Sequence, residues 1–65
     1  MFIKVNGELK EINVNTLEEV IRLLGFEVSK VVAVLNGEIV PKSKVSETYV
    51  KEGDDIEILT IMGGG

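Results

Sequence analysis

Residues 16–26 read TLEEVIRLLGF, and their spacing decides the fold. Leu17, Val20, Ile21 and Leu24 fall at i, i+3, i+4 and i+7, which is one face of an α-helix. Thr16 with Glu19 three residues later makes a capping box, each side chain satisfying the other residue's free backbone N–H. Gly25 can take the left-handed conformation that closes the far end. The pattern predicts a single amphipathic helix of about two turns, bounded at both ends.

On either side the period changes from helical to alternating. Upstream, MFIKVNGELKEINV (1–14) alternates Ile3 and Val5 with Lys4 and Asn6, breaks at Asn6-Gly7, and resumes around Leu9 and Ile12. An Asn-Gly pair tolerates the positive φ of a two-residue hairpin turn, so an N-terminal β-hairpin is expected. Downstream, KVVAVLNGEIVP (30–41) is β-rich and broken by a second such pair, Asn36-Gly37; Pro41 lacks a backbone donor and suits the end of a short edge strand. Residues 42–55 are polar, with Val45, Tyr49 and Val50 as expected core anchors and Gly53-Asp54 as a turn before the last strand, IEILTIM (56–62).

With one helix there is one cover for the sheet, and a right-handed crossover places the last strand parallel to and beside the first. The expected fold is therefore α+β: a ubiquitin-like β-grasp, a mixed four- to five-stranded sheet covered on one face by a single helix. A ferredoxin-like arrangement would need a second helix, for which 42–52 is too polar and too short. No linker or internal repeat divides the chain, and 1–65 reads as one domain with a flexible tail, Gly63–Gly65.

Each strand under a single cover should carry one apolar and one polar side-chain set. Two strands do not. Val31, Ala33 and Leu35 alternate with equally apolar Val32 and Val34, while Ile56 and Ile58 alternate with Glu57, Leu59 and Ile61. Interior strands beside a parallel pair are commonly apolar on both faces. The reading favoured over that one is an exposed partner-contact patch of Phe2, Val32, Val34, Leu59, Ile61 and Met62 leading to the tail.

Composition narrows the chemistry. The 65 residues contain no cysteine and no histidine, which removes thiolate nucleophiles, thiolate metal sites and the usual general base. Ser29, Ser43 and Ser46 have no histidine to activate them, and Asp54-Asp55 reads as a water-facing turn rather than a metal pair. The chain is expected not to be an enzyme and to bind no cofactor or metal itself. A formal charge of −4 has the wrong sign for a phosphate backbone, so nucleic acid is not an expected partner. The absence of a long apolar run or basic leader reads as a soluble, cytoplasmic protein, monomeric when free. Glu18 and Arg22, four apart, are expected to form a weak surface ion pair.

That leaves the end of the chain, TIMGGG (60–65). Terminal glycines alone often mean a frayed end. Here they continue from an expected central strand, so three residues extend about 10 Å from a rigid root. Without Cβ atoms they can enter a narrow channel, and the α-carboxylate of Gly65 is the only reactive group at the tip. A carboxylate becomes reactive as an acyl-adenylate, and this chain has no phosphate-binding glycine loop, so a partner would have to supply ATP chemistry.

In the order Asn36, Gly37, Glu38, Ile39, Val40, Pro41, Ser43, then Gly53, Asp54, Ile56–Ile58 and the terminal glycines, the chain resembles the ThiS family of sulfur carriers of thiamine biosynthesis. IKVNGE and TLEEVIRLLGF extend the similarity to essentially the whole chain. The resemblance implies a carrier whose Gly65 is adenylated by a ThiF-like, ATP-using enzyme, while Gly63 and Gly64 thread into partner active sites. It further implies conversion to a thiocarboxylate with sulfur from a cysteine desulfurase or other donor, and delivery to thiazole synthase or another acceptor. With no cysteine, sulfur held covalently would have to sit on the C-terminus. The same tail would serve a carrier for molybdopterin or tRNA thiolation, or a ubiquitin-like modifier of lysines. A plain interaction module would not need it.

Overall fold

The computed structural model describes residues 1–61; Met62, Gly63, Gly64 and Gly65 lie outside the described residues. Strands β1 (Phe2–Val5) and β2 (Glu8–Glu11) form the first hairpin, helix α1 covers Leu17–Leu23, β3 (Val31–Leu35) and β4 (Glu38–Val40) form the second hairpin, and β5 covers Asp55–Thr60. Short 3-10 turns at Val28–Lys30 and Lys42–Lys44 precede β3 and follow β4. The sheet has five strands in the order β2-β1-β5-β3-β4. β5 pairs parallel with β1 and antiparallel with β3, so the expected β-grasp arrangement is the one observed, with the last strand at the centre.

Both hairpins turn at their Asn-Gly pair: Asn6 and Asn36 have φ of 52° and 50°, and Gly7 and Gly37 follow at 82° and 86°. These are the left-handed values that a two-residue turn of this type requires at both central positions. In α1, Thr16 caps the first turn through Glu19 N–H (3.3 Å), and the Glu19 carboxylate accepts from the N–H groups of Asn15 (2.8 Å) and Thr16 (2.9 Å). Those backbone donors hold the Glu19 carboxyl below the usual carboxylate range. At the other end Gly25 N–H bonds Arg22 C=O and Phe26 N–H bonds Ile21 C=O, the paired closure of a Schellman motif around a glycine at φ 87°.

Leu17, Val20 and Ile21 on α1 are fully buried against Ile3, Val5, Ala33, Ile56 and Ile58 from the three central strands. Val45 and Val50 join this core as expected, but Tyr49 does not: it is 73% exposed. The backbone of Tyr49 bridges Thr16 in extended geometry, and successive side chains of an extended segment point to opposite sides, so burying Val50 turns Tyr49 outward. Glu18 and Arg22 form the expected surface pair at 3.2 Å.

Asp54 also departs from expectation. Rather than facing water it is 3% exposed. Its carboxylate accepts from the Asn36 side-chain amide (3.0 Å) and Lys51 N–H (2.8 Å), with the Lys51 ammonium at 3.4 Å. Burial pushes this carboxyl up, but the bonds from Asn36 and Lys51, with the Lys51 charge, outweigh it and leave the group below its ordinary value.

Replacing Asp54 by Ala should cost about 1–3 kcal/mol, because Asn36 and the Lys51 N–H lose their acceptor. A carboxyl whose folded value lies below its unfolded one adds stability above the unfolded range and loses it as pH falls through the folded value. Urea denaturation across the acid range should therefore show a shallower acid loss in Asp54→Ala than in the parent chain; identical slopes would show that Asp54 is not a source of acid sensitivity.

Candidate functional site

The functional question concerns β5, because the chain runs from it into the glycines. Backbone groups of alternate β5 residues point to opposite neighbours. Asp55 C=O and Ile61 N–H bond Asn36 N–H and Lys30 C=O on the β3 side, whereas Asp54 C=O and Ile56 C=O take Lys4 N–H and Asn6 N–H on the β1 side. β3 accompanies β5 along its full length, from the Leu35–Ile56 pair to the Val31–Thr60 pair. Pairing with β1 ends at Val5–Ile56.

The two hairpin turns close on β5 from both sides through their asparagines. The Asn6 side-chain carbonyl accepts from Ile58 N–H at 2.8 Å, taking the place of the strand partner that β1 no longer provides. Asn36 accepts from Asp55 N–H at 2.9 Å while its amide donates to buried Asp54. Sequence reading found these residues as turn formers only; their second role depends on the turns landing beside a strand some twenty or fifty positions away.

The face of the sheet away from α1 has no cover among the described residues. Register puts Val32 opposite Leu59, Val34 opposite Glu57 and Ile39 opposite Val34 on this open face. Val32 and Val34 are half-buried, Leu59 and Ile61 are 53% and 48% exposed, and Ile39 is 70% exposed. Four of the expected patch residues, Val32, Val34, Leu59 and Ile61, are thus gathered on the half of the sheet nearest the chain's end. Ile39 extends the patch and was missed, although the Asn36-Gly37 turn fixes the register that puts it beside Val34.

Phe2 is exposed as expected but stands apart from these four. It occupies the same face, but its C=O accepts from Gly53 N–H, level with the start of β5. Six strand positions separate that level from Leu59, about 20 Å, and Lys4, Asp55 and Glu57 stand on the face between them. The parallel pairing that places β1 beside β5 also fixes this offset. Met62, the sixth expected patch residue, and Gly63, Gly64 and Gly65 lie outside the described residues. Among the described residues no group of three potential metal ligands converges, and no helix is long and apolar enough to cross a membrane.

A family model described as the ThiS family matches residues 3–65. The chain belongs to the ThiS family. Among curated relatives it is 33% identical over 61 residues to the sulfur carrier protein ThiS of Thermus thermophilus, covering 94% of this chain and 95% of that protein. It is 38% identical over 66 aligned positions to a thiazole synthase of Paramagnetospirillum magneticum, where it spans all of this chain but 20% of that protein. Among solved structures, the crystal structure of thiamine biosynthesis protein ThiS from Geobacter metallireducens matches with a TM-score of 0.84 at 32% identity, each chain covered in full. The ThiS-family fold, with the last strand at the sheet centre, accounts for why two loop asparagines converge on β5.

Removing the Asn6 carbonyl should therefore destabilise the molecule beyond its effect on the turn. Asn6→Gly keeps the positive φ but leaves Ile58 N–H unpaired, and is expected to cost about 1–3 kcal/mol in urea denaturation. Asn6→Asp, which retains an acceptor, should lie closer to the parent; equal losses in both variants would count against this bond.

Proposed function

We propose that the chain is a sulfur carrier of thiamine biosynthesis and that the Gly65 carboxylate is its working group. A carboxylate oxygen attacks the α-phosphorus of ATP and pyrophosphate leaves; sulfide then displaces AMP from the acyl carbon to give a thiocarboxylate, or the terminal sulfur of a persulfide displaces it to give an acyl disulfide, which a second thiol cleaves to the thiocarboxylate and a disulfide. The catalysis belongs to partners: a ThiF-like adenylating enzyme, a cysteine desulfurase or other sulfur donor, and thiazole synthase as acceptor. This chain's part is to present Gly65, with Gly63 and Gly64 slim enough to follow a narrow channel.

The observation that carries the reading is the position of β5. The strand leading to the glycines is the central one, paired with β1 at its start and with β3 along its length, so the end of the chain continues from a strand built into the middle of the sheet. Membership of the ThiS family through residue 65 supports the carrier role. A similar stretch within a protein named thiazole synthase supports thiazole formation as the destination. The absence of cysteine and histidine agrees with a co-substrate rather than a catalyst.

The patch of Val32, Val34, Ile39, Leu59 and Ile61 is the surface offered to the adenylating enzyme. It adjoins the tail's root, and apolar groups left half exposed gain most from being covered.

Incubation with ATP, a sulfur donor and the adenylating enzyme should replace one oxygen by one sulfur in the intact mass, mapped to Gly65. A variant with one residue added after Gly65 should stay unmodified; its adenylation at the parent rate would sink this assignment. Leu59→Glu should raise the KM for activation about tenfold or more while shifting Tm by only a few degrees, because Leu59 is already half exposed. A parent-like KM would remove Leu59 from the contact.

A further inference from the structure

β5 overhangs β1. Beyond the bond from Ile58 N–H to Asn6, the groups on that side are Ile58 C=O, Thr60 N–H and Thr60 C=O, and none has a hydrogen-bond partner among the described residues. Thr60 is exposed. Among the described residues the sheet therefore has three free edges: the outer side of β2, the outer side of β4 and this overhang.

The three are not alike. β2 reads ELKE and carries a Lys10–Glu8 ion pair at 3.5 Å; β4 is three residues long, begins with Glu38 and is stopped by Pro41. Charges, short length and proline are the devices that keep strand edges from pairing with other chains. The overhang, Ile58-Leu59-Thr60-Ile61, has no charge and no proline. It is the unguarded edge of an otherwise guarded sheet, and it borders the apolar patch through Leu59 and Ile61.

We infer that this overhang is a docking edge for an extended backbone segment of the adenylating enzyme, which lies along β5 as a further strand in line with β1. The inference rests on the proposed carrier function. The choice of occupant follows from reach: five residues beyond Thr60 span at most about 17 Å, so an enzyme holding the Gly65 carboxylate has its own chain within that distance of the edge. The edge offers one donor and two acceptors at strand spacing, which recognise extended main chain whatever its side chains. Leu59, on the open face, then sits under the added strand's flank and joins backbone pairing to the apolar contact. Asn6 sets where the docked strand begins, because its carboxamide occupies the position before.

Amide exchange by NMR tests this directly. In the free carrier the Thr60 amide should exchange rapidly while the Ile58 amide, already bonded to Asn6, is protected. Saturation with the adenylating enzyme should slow Thr60 exchange by about tenfold or more. A second reading uses Thr60→Pro, which removes the N–H at a solvent-facing edge position where proline is tolerated. The variant should remain folded by NMR and lose about tenfold in kcat/KM for adenylation, the worth of one well-made hydrogen bond.

A Thr60 amide that still exchanges freely in the saturated complex would overturn the inference while leaving the carrier function standing, since adenylation of the parent chain is scored in the same samples. So would Thr60→Pro that is folded and activated like the parent. Protection that grows with carrier concentration alone would give the edge to a second copy of this chain and overturn the assignment. Failure of the parent chain to be adenylated at all would remove the carrier function and this inference with it.

Discussion

The strand Asp55–Thr60 lies between β1, which pairs with its first residues, and β3, which pairs along its length, and the remainder of the fold is arranged to make that possible. A strand added last can be central only if its two neighbours leave a gap of the right width. Here each neighbour belongs to a separate hairpin, so β5 is what joins two otherwise local units into one sheet. Its two fully or nearly buried isoleucines, Ile56 and Ile58, meet α1 across the core. Losing β5 would separate the hairpins and leave the helix without half its floor, which is why long-range pairing rather than local propensity governs this fold.

Two asparagines reinforce the joint in different ways. Asn36 works through Asp54, a buried carboxylate whose desolvation is offset by an amide, a backbone N–H and a partly screened ammonium. Asn6 needs no charge; it supplies one carbonyl where the β1 ladder stops. The difference is positional. The Asn36 turn sits at the start of β5, where an incoming chain has to bend, whereas the Asn6 turn meets the strand midway, where a missing partner is the only deficit. The midway stop of β1 also creates the overhang toward the chain's end.

Local structure was legible because each element carried its own signal. Thr16, Glu19 and Gly25 bounded the helix, two Asn-Gly pairs set the hairpins, and the alternation of Val32 and Val34 with Val31 and Ala33 marked a strand apolar on both faces. Register between distant strands had no such signal. Phe2 shares a face with Leu59, and only the parallel offset of β1 against β5 shows that they stand at opposite ends. Asp54 looked like a turn carboxylate because the Asn36 amide that buries it lies eighteen positions away. Tyr49 was assigned to the core by residue type, but the extended backbone there admits only Val50.

The polar side chains with specific partners share a feature that bears on function. Asn6, Asn36, Asp54, Thr16 and Glu19 all hold backbone in place, and the surface ion pairs are too exposed to contribute much. Side-chain chemistry is thus committed to structure, in a chain that has neither cysteine nor histidine to spare. Beside the exposed Thr60 hydroxyl and the Lys30–Glu27 ion pair, what is available near the chain's end is main chain and apolar surface: the β5 edge, Leu59 and Ile61. Such a surface suits close recognition by main-chain pairing and apolar contact, which is what the proposed carrier function asks of it.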